Sequence, residues 1–392
     1  MSIARNYLAK EIYRSTLVVM LALMGLFSFF TLVEQLDAVS DVFPLTALLY
    51  VEALALPARL YELLPIGVLI GAILALAGLA HRNELAILRV SGLGAMGLLG
   101  MLWVISIPII ALAILVSEVI TPAAEIRYSE ANLVLRGKVQ GGRLVSGYWF
   151  KEPMQNSGSR VINIGRLLST GEVADLSIYE FDDGINLSRR VQAKRGLFEE
   201  GQLTLLDITR TVIPADAMSA LAKGTPPGEP IIKLESVEKS QLDTSLTPAR
   251  LVARIATPER MSLSVLWDYI GYLKSNQIDA SRQVVAVWRK MAYPFTLIVM
   301  LTIAAPVSYM QSRRGGVGAK IFIGILLGTV FFMISQLMLN VGLLYGWHPV
   351  VTSLLPSVVV FVLAIAIMLR MQHQTAPKKQ VFSSSRERTT AA

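Results

Sequence analysis

Long uncharged runs separated by short charged breaks fill the first and last thirds of the chain, and the middle third follows a different pattern. Ser15 to Val33 carries no charged side chain, and about 20 apolar residues suffice to cross the hydrocarbon core of a bilayer. Leu63–Ala80, with the apolar stretch Leu54–Leu60 ahead of it, predicts a second span. Val90–Ser117 is uncharged for 28 residues and contains a third, and Met291–Ser312 gives a fourth. Residues 321–369 contain no Lys, Arg, Asp or Glu, which is too long for one helix. Tyr345-Gly346-Trp347-His348-Pro349 is the turn that divides them into spans five and six. Residues 1–14, with Arg5, Lys10 and Arg14, predict an amphipathic helix leading into span one.

Between spans three and four the period changes. Glu118 to Leu135 continues span three as a helix beyond the membrane. Leu144–Phe150, Val161–Leu168, Val173–Phe181, Ile185–Ala193 and Leu203–Ile213 are short β-prone runs. Asn156-Ser157-Gly158, Ser169-Thr170-Gly171, Asp182-Asp183-Gly184 and Glu199-Glu200-Gly201 separate them, and such turns read as antiparallel hairpins. Strands at this spacing predict a small sandwich or jelly roll. Pro226-Pro227-Gly228 marks an irregular stretch, and Met261–Lys274 returns to helical periodicity. The expected fold is therefore an α-helical membrane protein of six transmembrane helices, with a β-jellyroll-like antiparallel domain inserted between helices 3 and 4. The expected divisions are 1–121 (spans one to three), 122–288 (the β domain with flanking helices), 289–371 (spans four to six) and a polar, disordered tail, 372–392.

Composition agrees. Of 392 residues 54% are hydrophobic and 16% charged, against about 25% charged in soluble domains. Mean hydropathy is +0.56. The absence of cysteine excludes disulfides and thiolate metal sites, and histidines at 81, 348 and 373 form no metal-ligand spacing. No small-residue cleavage site follows span one, so no cleavable signal peptide is expected. Basic residues cluster at the N-terminus, around 81–92, at 313–320 and in the tail, whereas the opposite short loops hold only Arg59. The positive-inside rule puts both termini and the 81–92 stretch in the cytoplasm and 118–290 outside, which is the periplasm if the cell is Gram-negative; long translocated domains escape that rule.

His81-Arg82-Asn83-Glu84-Leu85-Ala86-Ile87-Leu88-Arg89-Val90-Ser91-Gly92 is the chain's most distinctive stretch. Leu85, Leu88 and Gly92 recur at helical spacing, with Arg82, Glu84 and Arg89 supplying charge. It predicts a short amphipathic helix with a docking surface, or a solvated hairpin tip. Gly92-Leu93-Gly94-Ala95-Met96-Gly97 matches G-x-G-x-x-G but opens a membrane span after a helix, so it is not a nucleotide site. Gly67/Gly71 and Gly324/Gly328 are small-xxx-small pairs that permit close helix approach. No Walker A motif and no catalytic constellation stand out. Glu34, Asp37, Arg59 and Glu62 sit at span rims, leaving no mid-membrane ionisable group of the kind ion-coupled carriers use.

Several motifs together resemble one known family: Ala80-His81-Arg82-Asn83-Glu84-Leu85 with Ser91-Gly92, Val33-Glu34-Gln35-Leu36, Tyr269-Ile270-x-Tyr272-Leu273-Lys274-Ser275, and Leu344-Tyr345-Gly346 before Pro349. They resemble the LptF/LptG permeases of the lipopolysaccharide exporter, and the LptG branch more closely. The resemblance covers the whole chain, in the order three spans, outer β domain, three spans. It implies a non-catalytic ABC permease subunit without a cofactor of its own. Its implied partners are an LptF-type permease, an LptB-type ATPase dimer that binds the ATP, an LptC-type single-span protein and an LptA-type periplasmic bridge. The implied cargo is lipopolysaccharide, taken from the periplasmic leaflet of the inner membrane towards the outer membrane. Glu84, with Arg82, Leu85, Leu88 and Arg89, would then be the coupling helix. Spans one and five would be lateral gates, with Thr31 and Glu34 on the first and Gly324, Gly328, Phe331, Phe332 and Gln336 on the second. Thr31 and Asp37-Ala38 stand where LptG proteins often carry lysine. Candidate contacts for the lipid are therefore the cations Arg59, Arg127, Arg136 and Arg282 and the inward strand positions Ile178 and Phe181. Two other classes fit less of the chain: an ABC-coupled mechanotransmitter or lipoprotein extractor, and a membrane-anchored periplasmic assembly module.

Overall fold

The computed structural model describes residues 2–39, 43–91, 93–139, 148–154, 158–169, 172–182, 186–199, 202–213, 233–244, 246, 257–309 and 317–375. Among these residues six helices are long and apolar enough to cross a membrane, and a six-stranded antiparallel sheet is inserted between the third and fourth, as the sequence pattern predicts. The tail 376–392, most residues of the predicted hairpin turns and Pro226-Pro227-Gly228 lie outside the described residues.

Helix α1 (Ser2–Gln35) is a single helix. The leading helix and span one, predicted separately, are continuous because neither glycine nor proline occurs between Ser2 and Met24. Helix α2 (Leu45–His81) starts ahead even of the apolar stretch Leu54–Leu60 that leads into the predicted span. At 1.5 Å per residue its 37 residues extend about 55 Å, so its first turns stand clear of the hydrocarbon. A turn at Arg82-Asn83, with Asn83 at φ 60°, leads to the short helix α3 (Glu84–Val90). Span three is α4 (Ala95–Leu115), a π-helical turn (Val116–Ile120) and α5 (Thr121–Val139). After the sheet come α6 (Leu263–Ser275), α7 (Ser281–Tyr309), α8 (Val317–Leu344) and α9 (Pro349–Thr375). Ser262 caps α6, accepting from Val265 N at 3.4 Å. Gly346, at φ +64°, makes the predicted turn between α8 and α9.

Helices α2 and α7 form the centre: 67% of the most apolar 18 residues of each are buried, against 11% for α1 and for α8. In lipid, helices associate by close packing rather than by the hydrophobic effect, and glycines supply it. A Cβ on Gly71 would stand 2.5 Å from Thr16 Cα of α1, and one on Gly324 of α8 would stand 2.5 Å from Ile73 Cδ1 of α2. Arg59 joins α1 and α2: it pairs with Glu52 and donates to Ser28 Oγ at 3.1 Å.

The strands are β1 (Tyr148–Pro153), β2 (Ser159–Ser169), β3 (Glu172–Asp182), β4 (Asn186–Glu199), β5 (Gln202–Val212) and β6 (Lys233–Leu242), each hydrogen-bonded to the next. The jelly-roll expectation thus resolves, among the described strands, into a sequential antiparallel meander. Strand β6 was not expected: Glu235, Glu238 and Lys239 interrupt its apolar positions, and pairing with β5 recruits it. One face carries Phe150, Ile162, Ile164, Leu176, Val191 and Leu205 in a common core. A row of positions crosses the sheet at one register level: Gly165, Asp175, Lys194, Asp207 and Glu238. Asp175 and Asp207 there adopt φ 56° and 53°, and paired buried neighbours such as Val173 and Ala174 show the alternation slipping by one. Aligned irregularities of this kind bend neighbouring strands together.

Candidate functional site

At the end of the molecule away from the sheet, α3 lies against the transmembrane core. Leu85 is buried and Leu88 half-buried against that core, so these two side chains anchor the helix and do not form an exposed docking face. The exposed apolar positions are Ile87 and Val90. Sequence spacing alone could not distinguish the two faces, because a seven-residue helix is too short for its period to fix which stripe turns inward. Glu84 accepts from Tyr7 Oη at 2.8 Å and pairs with Arg82 at 3.2 Å, and Arg82 pairs with Glu11 at 3.0 Å. The hydrogen bond to Glu11 and the nearby Glu84 carboxylate raise the Arg82 pKa. Both Glu84 and Arg82 thereby tie α3 to the first turns of α1. The side chain of Arg89 lies outside the described residues.

The gate candidates separate into two groups. Gly324 and Gly328 point at Ile73, Leu69 and Ile66 of α2 in the same chain, so they serve packing within the subunit. Phe331 packs on the core, whereas Phe332 and Gln336 are exposed. The free face of α8 is made instead by Phe322, Leu326, Met333 and Leu337, and that of α1 by Leu17, Leu21, Phe29 and Phe30. Thr31 donates to Phe27 O within α1 at 3.0 Å, and Glu34 is exposed near the helix end.

The sheet-side ends of the spans hold a polar joint that sequence reading missed. Lys290 of α7 is buried, donates to Glu118 Oε1 at 3.0 Å and Ser117 O at 3.4 Å, and also bonds Met261 O. Glu118 accepts from Leu263 N at 2.7 Å through its other oxygen. The π-helical turn explains this reach: it precedes Pro122, which has no N–H to offer, and its widened backbone leaves the Ser117 carbonyl to an outside donor. Beside it Arg260 pairs with Glu125 at 3.3 Å and Glu62 at 3.5 Å. Burial alone would lower the Arg260 pKa; the two carboxylates more than reverse that and leave it raised. Two ion-pair groups thus lock the chain's return from the sheet onto α2, α5 and α7. In sequence Arg289-Lys290 resembles ordinary positive flanking of a span, and nothing local indicates that one of the two turns inward.

Next to this joint a cavity of about 530 Å³ opens between α2, α7, α8 and α9. Arg282, Arg289 and Lys290 line its outer part, and Met300, Phe331 and Leu339 its inner part. Of the predicted lipid cations, Arg282 is there. Arg59 is not free, being paired with Glu52, and it lies inside α2 rather than in the loop its charge pattern predicts. Arg127 is exposed on α5, and the side chain of Arg136 lies outside the described residues. Ile178 is fully buried in the sheet's own core and Phe181 half-buried near its end, so neither lines an open channel among the described residues.

Similarity to known proteins extends along nearly the whole chain. The chain is 26% identical over 386 residues to the lipopolysaccharide export system permease protein LptG of Escherichia coli strain K12, covering 93% of this chain and 97% of that protein. It is 25% identical over 363 residues to the LptG protein of Haemophilus influenzae, covering 91% and 96%. Residues 6–370 match the family described as lipopolysaccharide export system permease LptF/LptG. With six spans, the inserted antiparallel sheet and that match along nearly its whole length, the chain belongs to the LptF/LptG family of permeases.

Proposed function

We propose that the chain is the LptG-type half of a lipopolysaccharide exporter of the inner membrane. It performs no hydrolysis itself and moves lipid by conformational change driven from a partner ATPase dimer. The observation that carries this reading is the placement of α3. Two leucines anchor it at the end of α2, Ile87 and Val90 face outward, and Glu84 and Arg82 connect it to α1. A push on α3 would reach α1 directly, and α1 and α8 are the two most exposed spans. Their free apolar faces suit a partner permease of LptF type and a lateral opening for acyl chains. In this arrangement both termini and α3 are cytoplasmic, and the sheet is periplasmic, where an LptC-type and an LptA-type protein would receive the lipid.

Glu84→Ala in the assembled complex tests the proposal. Loss of the carboxylate should weaken ATPase co-purification or leave ATP hydrolysis running without lipopolysaccharide release, while membrane insertion survives. Unchanged assembly together with unchanged ATP-driven release would refute the coupling role.

A further inference from the structure

The cavity between α2, α7, α8 and α9 has features that close packing within the subunit does not need. Along α7, Arg282, Ala286, Arg289, Tyr293, Thr296 and Met300 succeed one another at intervals of four and three residues and all line it. That spacing is one helix face. The face is graded: two guanidiniums at the sheet side, then a phenol and a hydroxyl, then a thioether. The opposite wall supplies Phe331 and Phe332 from α8.

The charges decide what the outer part would accept. Lys290 and Arg260 are already matched by Glu118, Glu125 and Glu62. Arg282 and Arg289 have no ion pair among the described residues, and the remaining carboxylate on the wall is Glu259. On the wall itself four cations, Arg260, Arg282, Arg289 and Lys290, stand against two carboxylates, Glu62 and Glu259, while Glu118 and Glu125 lie behind it, so the surface offered to a ligand is positive although the whole cluster balances. Thr121, 4% exposed, also lines the cavity, and its buried hydroxyl has no hydrogen-bond partner among the described residues; the Ser353 hydroxyl on the α9 side is in the same condition. Buried polar groups without a partner are costly, and a ligand oxygen would satisfy them. The volume lies within the range of small-molecule sites and is far short of a multiply acylated glycolipid.

We propose that this cavity is a binding site for a bilayer phospholipid, separate from the exposed α1 and α8 faces. The headgroup phosphate lies between Arg282 and Arg289, which sit about 10 Å apart along the helix axis, with bidentate N–H donors suited to phosphate oxygens. One acyl chain runs inward past Tyr293 towards Phe331 and Phe332. The site is a resident lipid's, so it does not depend on the assignment of the cargo.

Native mass spectrometry of the full chain, extracted in mild detergent with its partner subunits, tests this, with the retained lipid identified by fragmentation. The wild type should keep a phospholipid, and vesicles of phosphatidylglycerol should replenish it after delipidation. Arg282→Gln with Arg289→Gln should reduce retention at least tenfold, and Lys194→Gln, exposed on the sheet, should not. Unaltered melting of the double variant would show that it folds; if it fails to fold, Ser353→Leu, which occupies the cavity from the α9 side, provides the second test. Equal retention in wild type and variants would overturn the proposal. Retention of lipopolysaccharide instead of phospholipid would also overturn it, and would make the cavity a segment of the cargo path. A wild-type complex that retains phospholipid but releases no lipopolysaccharide on ATP addition would count against the proposed function and leave this site standing.

Discussion

Lys290 shows how one residue's environment sets its role. Its ammonium is buried and holds a carboxylate and two carbonyls from two separate segments, Ser117-Glu118 and Met261. Removing one partner of a buried pair costs about 3–5 kcal/mol because the other charge remains, and Glu118 is partly exposed, which lowers that figure. Lys290→Met should therefore destabilise the detergent-solubilised chain by about 2–3 kcal/mol, and adding Glu118→Gln should restore much of the loss. Thermal unfolding of the single and double variants checks this. A double variant no better than the single would show that the bonds to the Ser117 and Met261 carbonyls matter more than the charge pair. Asp279 gives a pH-dependent case. The Ser281 hydroxyl and backbone N–H both donate to its carboxylate, which lowers its pKa in the folded chain. A lowered folded value contributes stability above the ordinary carboxylate pKa and loses it as pH falls through the folded one. Melting temperature should thus fall more steeply below about pH 4 in the wild type than in Asp279→Asn.

At the scale of elements, the glycines separate contact from bystander. Gly71 meets the α1 backbone at Thr16, whereas Gly78, two turns along the same helix, has nothing near it. Gly71→Ala should lower stability by about 1–3 kcal/mol, the usual cost of overpacking, while Gly78→Ala should be neutral or slightly stabilising. Equal effects at the two positions would remove the close α1–α2 contact as the explanation. The same logic revises span five. Its glycine pair, read in sequence as a loose gate contact, lies on α2 of its own subunit, and the surface left for a partner is aromatic and aliphatic. Helix existence was legible from uncharged length alone. Helix extent was not: α1 and α2 run on through polar and charged residues, because once a helix is packed its ends follow backbone continuity rather than hydropathy.

For the molecule as a whole, the proposed cycle links α3, α1 and the exposed faces of α1 and α8. The chain has no native cysteine, so a single pair can be introduced cleanly. One cysteine at Leu337 on α8 and one on the partner permease's first span should cross-link on oxidation, stop lipopolysaccharide release and recover on reduction. Full release in the cross-linked complex would place the lateral opening elsewhere.

The sequence by itself determined the number of spans, the place of the inserted sheet, five of its six strands and the position of the α3 turn. Each is written in local features: uncharged length, two-residue alternation and turn residues. The tertiary structure alone decided which polar groups meet. Arg59 is held by Glu52 and Ser28, Lys290 by segments up to 173 residues away in sequence, and Arg282 and Arg289 are brought to one cavity with Thr121 and Ser353. Strand β6 likewise forms because β5 is beside it. A charged side chain looks the same in sequence whether it flanks a span or is buried under it. Its partner settles the matter, and that partner is chosen by packing between segments that sequence pattern treats one at a time.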